Sequence, residues 1–275
     1  MELQGKVAIV TGSSRGIGKF ISKTLATSGI KIIAIARNMD ALSNTCNTIE
    51  RSGGQATPLI GDMINIEGIP KLIQKSISIY GKVDFLINNA GIEQYQKFHK
   101  YNQEYIEKCL ITNLHAPIHL SHSIIPHFLE NNNGKIINIA SLAGKKGVAF
   151  NGVYSASKSG LIMWTDAMRQ EYKNSSIEFS VVCPGFIQDS GMFHDSGQNP
   201  PKLLGSSLAQ DVANAVLNCI KKQKAEVIVN PGPMKPLLAL AQIYPLLADW
   251  IVNFFGVHQM SKERIEKAKD YFKTL

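Results

Sequence analysis

Long runs of any one kind are what this chain of 275 residues lacks. Charged residues make up only 18% of it, and the net charge of +8 is scattered rather than gathered into blocks. No basic stripe of the kind that binds nucleic acid is present, and an anionic cofactor accounts for the excess equally well. Cysteine is scarce. Cys46, Cys109, Cys183 and Cys219 show no CxxC spacing, so they read as reduced, buried thiols of a cytoplasmic protein. No cluster of His, Cys, Asp or Glu has the spacing of metal ligands, and the lone His194 receives no role. No uninterrupted apolar stretch reaches the length of about 18 residues that a spanning helix needs. The nearest, from Pro236 to Val257, is broken by Gln242, Pro245 and Asp249. Strand-like sequence starts close behind Met1, so no signal peptide is expected. Internal repeats, low-complexity tracts and Gly/Ser linkers are also missing, so residues 1–275 are expected to form a single domain.

What is present is 44% hydrophobic and organised as an alternation. Apolar runs at Lys6–Thr11, Lys31–Ala36, Gln55–Ile60, Val83–Asn88, Lys135–Ala140, Ile177–Cys183 and Glu226–Val229 read as strands. Several are apolar at consecutive positions, as strands covered by helices on both faces must be. Helix-length segments such as Gly18–Ser28, Ala41–Ser52 and Tyr154–Tyr172 lie between them. Strand–helix alternation predicts an α/β fold with a doubly wound parallel sheet.

The first strand runs directly into Thr11-Gly-Ser-Ser-Arg-Gly-Ile-Gly18. Gly12, Gly16 and Gly18 fall at a strand-to-helix junction, where glycine allows a tight turn and a close backbone approach to a pyrophosphate. The helix start beyond them offers free N–H groups to an anion. The spacing is G-x3-G-x-G rather than G-x-G-x-x-G. The second strand ends Ala36-Arg37-Asn38, where an acid would bind a ribose 2′-hydroxyl. Arg37 and Arg15 instead suit a 2′-phosphate, which points to NADP(H). Further on, Tyr154 and Lys158 stand four residues apart, on one face of a helix. An ammonium beside a phenol is expected to lower the phenol's pKa toward the range of acid–base catalysis. Ser141, 13 residues upstream of the tyrosine, could polarise a carbonyl at the same spot.

These motifs, with Asn88-Asn-Ala-Gly91, Asn113 and Pro184-Gly185, resemble the short-chain dehydrogenases/reductases in order and spacing from Gly5 to about Asn230. The resemblance implies a Rossmann-like sheet of about seven strands, a nicotinamide cofactor, and a tetrad of Asn113, Ser141, Tyr154 and Lys158. In that scheme Tyr154 exchanges a proton with the substrate oxygen, and Lys158 tunes the phenol and binds the nicotinamide ribose. Ser141 holds the carbonyl, and Asn113 supports a proton-relaying water. The resemblance also assigns cofactor contacts to Gly12, Ser14, Arg15, Gly16, Ile17, Gly18, Arg37, Asp62, Met63, Asn89, Ala90, Gly91, Pro184, Gly185 and Ile187. Against this, Asn88 to Gly91 could mainly stabilise the sheet, and Asn113 could serve helix backbone groups. Asp189 replaces the threonine expected after Pro184-Gly-Phe-Ile-Gln, which puts one carboxamide contact in doubt. A homodimer or homotetramer is expected.

Residues 188–207 fall where such proteins carry a substrate lid, and Met192, Phe193, Pro200, Pro201, Leu203 and Leu204 would suit a hydrophobic substrate. Residues 231–275 form a C-terminal extension with an amphipathic stripe of Leu240, Ile243, Leu247, Trp250, Ile251, Phe254 and Phe255. The stripe is expected to leave water by covering the cleft or another subunit; the alternative is peripheral contact with a membrane surface. Lys262, Arg264, Lys267, Lys269 and Lys273 follow it. The expected function is hydride transfer between NADP(H) and a hydrophobic alcohol or carbonyl, steroid-, retinoid- or ketoacyl-like. The alternatives are a reductase of carrier-bound 3-ketoacyl chains, a related epimerase or dehydratase, and a non-catalytic NADP-sensing or membrane-associated binding protein.

Overall fold

A computed structural model describes residues 2–201, 204–232 and 234–273, with side chains as far as Ile265. Leu203, Pro233 and the side chains of Lys267, Lys269 and Lys273 lie outside the described residues. The first half of the chain runs β1 (Val7–Thr11), α1 (Gly16–Thr27), β2 (Lys31–Ala36), α2 (Met39–Arg51), β3 (Ala56–Ile60), α3 (Ile69–Tyr80), β4 (Phe85–Asn88), α4 (Gln103–Leu110) and α5 (Ala116–Glu130). The second half runs β5 (Gly134–Ile139), α6 (Gly152–Glu171), β6 (Ile177–Pro184), α7 (Met192–Asp195), α8 (Ala209–Lys221), β7 (Glu226–Val229), α9 (Met234–Ile243), α10 (Pro245–Phe254) and α11 (Val257–Lys273).

The seven strands pair in parallel in the order β3-β2-β1-β4-β5-β6-β7. Parallel strands need crossovers, and the helices that supply them cover both faces. The apolar runs are consecutive for that reason. Ala8 and Val10 of β1 pack into a core with Ile21 and Leu25 of α1 and Val212 and Val216 of α8. Val7 and Ile9 of the same strand enter a second core with Leu72 of α3 and Leu120, Ile124 and Phe128 of α5. Burying each such side chain contributes about 1.5–3 kcal/mol. The strand order reverses between β1 and β4, and a crevice opens there at the carboxyl ends of the strands.

The last three helices do not belong to the alternation. Pro245 starts α10 at a position that needs no backbone donor. Gly256, with φ of 75°, permits the left-handed turn into α11. The stripe expected from the sequence divides here: Leu240, Ile251 and Phe255 border the large cavity of the molecule. Ala248 of α10 and Val257, Met260 and Ile265 of α11 are buried, whereas Ile243, Leu247, Trp250 and Phe254 remain exposed, Trp250 at 63%. α9 and α10 carry large apolar side chains on most sides, so the inward face had no unique period to mark it. Among the described residues no helix is long and apolar enough to cross a membrane.

Candidate active site

At the end of β1, Gly12 and Gly16 take φ of 71° and 56°, which only glycine adopts without strain. A Cβ on Gly18 would stand 2.1 Å from the Gly12 carbonyl oxygen. This position therefore requires glycine for contact as well as for turning. The Ser13 hydroxyl donates to the Val10 carbonyl at 2.7 Å, and Asn89 Nδ2 donates to the Thr11 carbonyl at 2.9 Å. The Thr11 hydroxyl oxygen accepts from the N–H groups of both Asn89 and Ala90, each at 3.0 Å. Thr11, which the sequence did not single out, thus fastens the glycine loop to the exit of β4. The result is a cradle at the N-terminus of α1 with a backbone surface that a phosphate can approach. Arg15 and Arg37 are exposed at its rim, and Arg15 lies 3.6 Å from Asp195 of α7. Asp62 is exposed and Met63 is buried beside β2.

Tyr154 and Lys158 project from α6 and are both buried. Lys158 Nζ donates to the Ile139 carbonyl at 2.8 Å and lies 5.7 Å from the centroid of the Tyr154 ring. Ser141 follows β5 in extended backbone, and its hydroxyl oxygen accepts from the Ala143 N–H at 3.1 Å. Burial pushes the Tyr154 phenol well above its ordinary value; the Glu93 carboxylate adds to this and a hydrogen bond with Ser141 opposes it. The expected lowering by Lys158 is therefore corrected: removal from water outweighs the neighbouring ammonium. Burial brings Lys158 itself down to about 8, against the raising influence of Cys109, Cys183 and Glu93.

Asn113 occupies a π-helical turn, Ile111–His115, between α4 and α5. Such turns insert one extra residue and are frequent at functional sites. The Asn113 amide accepts from the Ile92 N–H at 2.8 Å and donates to the Ile92 carbonyl at 2.9 Å and to Ser157 Oγ at 3.1 Å. It serves the backbone of the loop after β4, not that of its own helix. Gly91 lies against this group: a Cβ there would stand 3.2 Å from Asn113 Oδ1 and 3.4 Å from Lys158 Nζ. Asn88 is wholly inside, donating to Asn138 Oδ1 at 2.8 Å, so its role is in the sheet. Pro184 ends β6, a Cβ on Gly185 would collide with Asn230, and Ile187 is buried. Asp189, the departure noted above, accepts from the Ala209 N–H at 2.8 Å and so caps the start of α8.

A cavity of about 700 Å3 joins these parts. Every candidate residue except Asn113 lines it, including Gly12, Ser14, Arg15, Gly16, Ile17, Gly18, Arg37, Asp62, Met63, Asn89, Ala90, Gly91, Pro184, Gly185 and Ile187. Asn113 lies behind the wall. The opposite side is built by the tail, through Leu237, Leu238, Ala241, Ile251, Val252 and Phe255. Glu93, Tyr95 and Arg264 also line the cavity, and nothing in their spacing revealed them. Among the described residues no group of His, Cys, Asp or Glu could hold a metal ion.

Comparison with known proteins agrees with this arrangement. A family model described as short chain dehydrogenase matches residues 6–201. The ketoacyl reductase HetN of Nostoc sp. PCC 7120 is 44% identical over 98% of this chain and 96% of its own length; a match that long takes in the tail. The 3-oxoacyl-[acyl-carrier-protein] reductase FabG of Escherichia coli K12 is 32% identical over 78% of this chain and 90% of its own length. A solved actinorhodin polyketide ketoreductase with NADPH superposes with a TM-score of 0.75 at 27% identity, covering 82% of this chain and 95% of that one. With a glycine cradle, a buried Tyr–Lys pair and a family model spanning the first six strands, the chain belongs to the short-chain dehydrogenases/reductases, oxidoreductases that act on CH–OH and C=O groups.

Proposed function

We propose that this protein reduces the carbonyl of a hydrophobic, ketoacyl-type substrate. The cofactor is NADP(H), which supplies the hydride when bound. The observation that carries the reading is the single cavity, with the glycine cradle and arginines at one end, Ser141 and Tyr154 in the middle and an aliphatic wall from the tail at the other. Ser141 would hold the carbonyl oxygen, and Tyr154 would donate the proton to it. Burial keeps the phenol protonated at neutral pH, so the proton to be donated is in place when a carbonyl arrives. Lys158 would bind the ribose and return a proton to the tyrosine. Asn113 would act through Ile92 and Ser157, holding the loop that carries Gly91. Arg15 and Arg37 would receive the 2′-phosphate.

The test is NADPH oxidation over ketosteroids, retinals, quinones and 3-ketoacyl thioesters of increasing length. The longer thioesters should give the highest kcat/KM. Turnover confined to another class would overturn the substrate assignment, and no turnover anywhere would favour a non-catalytic NADP-sensing protein. A second reading concerns the exposed Ile243, Leu246, Trp250 and Phe254. This outer face supports a contact with another subunit or, in the alternative, a membrane surface. Mass in solution and flotation with liposomes separate the two.

A further inference from the structure

Glu93 lies beyond β4 on the substrate side of the cavity, and both of its oxygens are engaged. Asn151 Nδ2 donates to Oε1 at 2.7 Å, and Arg264 Nη2 donates to Oε2 at 3.1 Å. The Glu93 and Arg264 side chains are 10% and 9% exposed, so this is a buried ion pair. The same guanidinium stacks 4.0 Å above the Tyr95 ring, lies 5.7 Å from the Phe193 ring and donates to the Met192 carbonyl at 3.3 Å. One side chain of α11 thereby grips the loop after β4 and α7. Through Glu93 it also reaches Asn151, which stands just before α6 and three residues ahead of Tyr154. Of the other polar ties of the tail, one is part-buried, Gln198 Nε2 donating to the Met260 carbonyl at 3.0 Å, and two are more open. Lys146 pairs with a largely exposed Asp249, and Gln242, itself exposed, donates to the Lys145 carbonyl at 3.1 Å.

We propose that the Glu93–Arg264 pair is the latch that seats the C-terminal helices as the wall of the substrate cavity, making Arg264 a positioning residue that sets how long or bulky a substrate is accepted. This rests on the substrate reading above for its chain-length consequence, but not for the latch itself. A buried charge loses most when its partner alone is removed, because it is left unpaired in a dry site. The tail therefore has a strong preference for one seating, which an apolar contact alone would not give. The latch also borders the reacting centre. The groups around Glu93 are Tyr101 just before α4, Tyr105 and Cys109 on α4, Tyr154 and Lys158 on α6, Tyr95 on its own loop and Arg264 on α11. His194 and Asp195 on α7 and His258 on α11 are exposed. Glu93 raises Tyr154 and Lys158 alike.

The test compares the full-length protein with Arg264→Gln, Glu93→Gln and the pair Glu93→Gln/Arg264→Met. Amide hydrogen exchange along α9–α11 reads the latch without any substrate. Arg264→Gln should speed that exchange about tenfold or more, and the double variant, although no charge is then left unpaired, should still exchange severalfold faster than the wild type. On 3-ketoacyl thioesters, Arg264→Gln should raise KM for long chains about tenfold while changing kcat on the shortest chain less than twofold. Glu93→Gln should move the alkaline limb of the reduction profile to lower pH, a change that mere loss of packing would not cause. Unchanged tail exchange in Arg264→Gln overturns the latch. Exchange that rises with no change in the long-to-short KM ratio overturns its role in specificity. If Arg264→Gln fails to fold, the double variant decides: restored folding with faster tail exchange than wild type supports the latch, and restored folding with wild-type tail exchange overturns it. Wild-type protein that turns over no carbonyl would remove the substrate reading and leave the exchange result standing.

Discussion

The cavity has two walls made on different principles. The sheet-side wall is fixed by backbone and buried polar groups: Thr11 ties the glycine loop to β4, Asn113 holds Ile92, and Lys158 is bound to the Ile139 carbonyl. Its central strands, β1, β4 and β5, are buried along their whole length. The tail wall is aliphatic, meets water on its outer side, and is held by a few polar ties. A wall of the first kind keeps atoms in place for proton transfer. A wall of the second kind can vary in shape without disturbing the chemistry opposite. Position of the reacting atoms and choice of substrate are thus assigned to separate parts of one chain.

The sharpest break in that comparison would come from the sheet side. Tyr154→Phe removes the proposed proton donor and little volume, so turnover should fall about 10²-fold or more while NADPH still binds; near-normal kcat would refute the assignment. Lys158 offers a pH test. Its pKa is about 8 in the folded protein against an ordinary 10.5, so the unfolded chain holds more protons between these values. Stability of the wild type relative to Lys158→Met should therefore rise with pH from about 8 to 10.5, by roughly 3 kcal/mol in total. Below pH 8 the difference should be flat, which denaturant titrations of both proteins can check. At the rim, Arg37→Asp should cost NADPH affinity about 1.5–3 kcal/mol and erode or reverse the preference over NADH. Equal affinity of the unchanged protein for the two cofactors would remove Arg37 from the site. The smallest effect is expected on the outer tail: Trp250→Ser should change folding stability by less than about 0.5 kcal/mol. A larger loss would show that the side chain is covered in solution.

The two walls also differed in how far they could be read in advance. All seven strands lie within a few residues of their expected ends, because consecutive apolar residues have few other uses in an α/β chain. The glycine loop and the Tyr154–Lys158 spacing were legible because each is a local pattern with a geometric requirement. The tail's helices were visible, but not which side faced inward, since α9 and α10 carry large apolar side chains all round. Glu93 and Arg264 stand 171 residues apart, and separation of that kind leaves no trace in periodicity. The sign of the Tyr154 shift was missed for a related reason: spacing shows that a lysine is near, but not that both groups have left water. Asp189 looked like a lost cofactor contact until the structure placed its carboxylate on the first N–H of α8.

The π-helical turn at Ile111–His115 makes the active site depend on residue count. Its closing bond runs from the Ala116 N–H to the Ile111 carbonyl, one residue longer than an α-helical bond. Deleting a single residue there would let α4 and α5 merge into one regular helix. The wide turn takes up its extra residue without turning the helices on either side, so those helices would keep their places while the turn itself closed up. Leu120, Ile124 and Phe128 of α5 are locked into the core, so the change would fall on the turn itself and on Asn113. Such a deletion should leave a folded sheet with Asn113 swung away from Ile92. A chain of this kind can lose its chemistry by a change in length alone, with every side chain of the reacting centre still present.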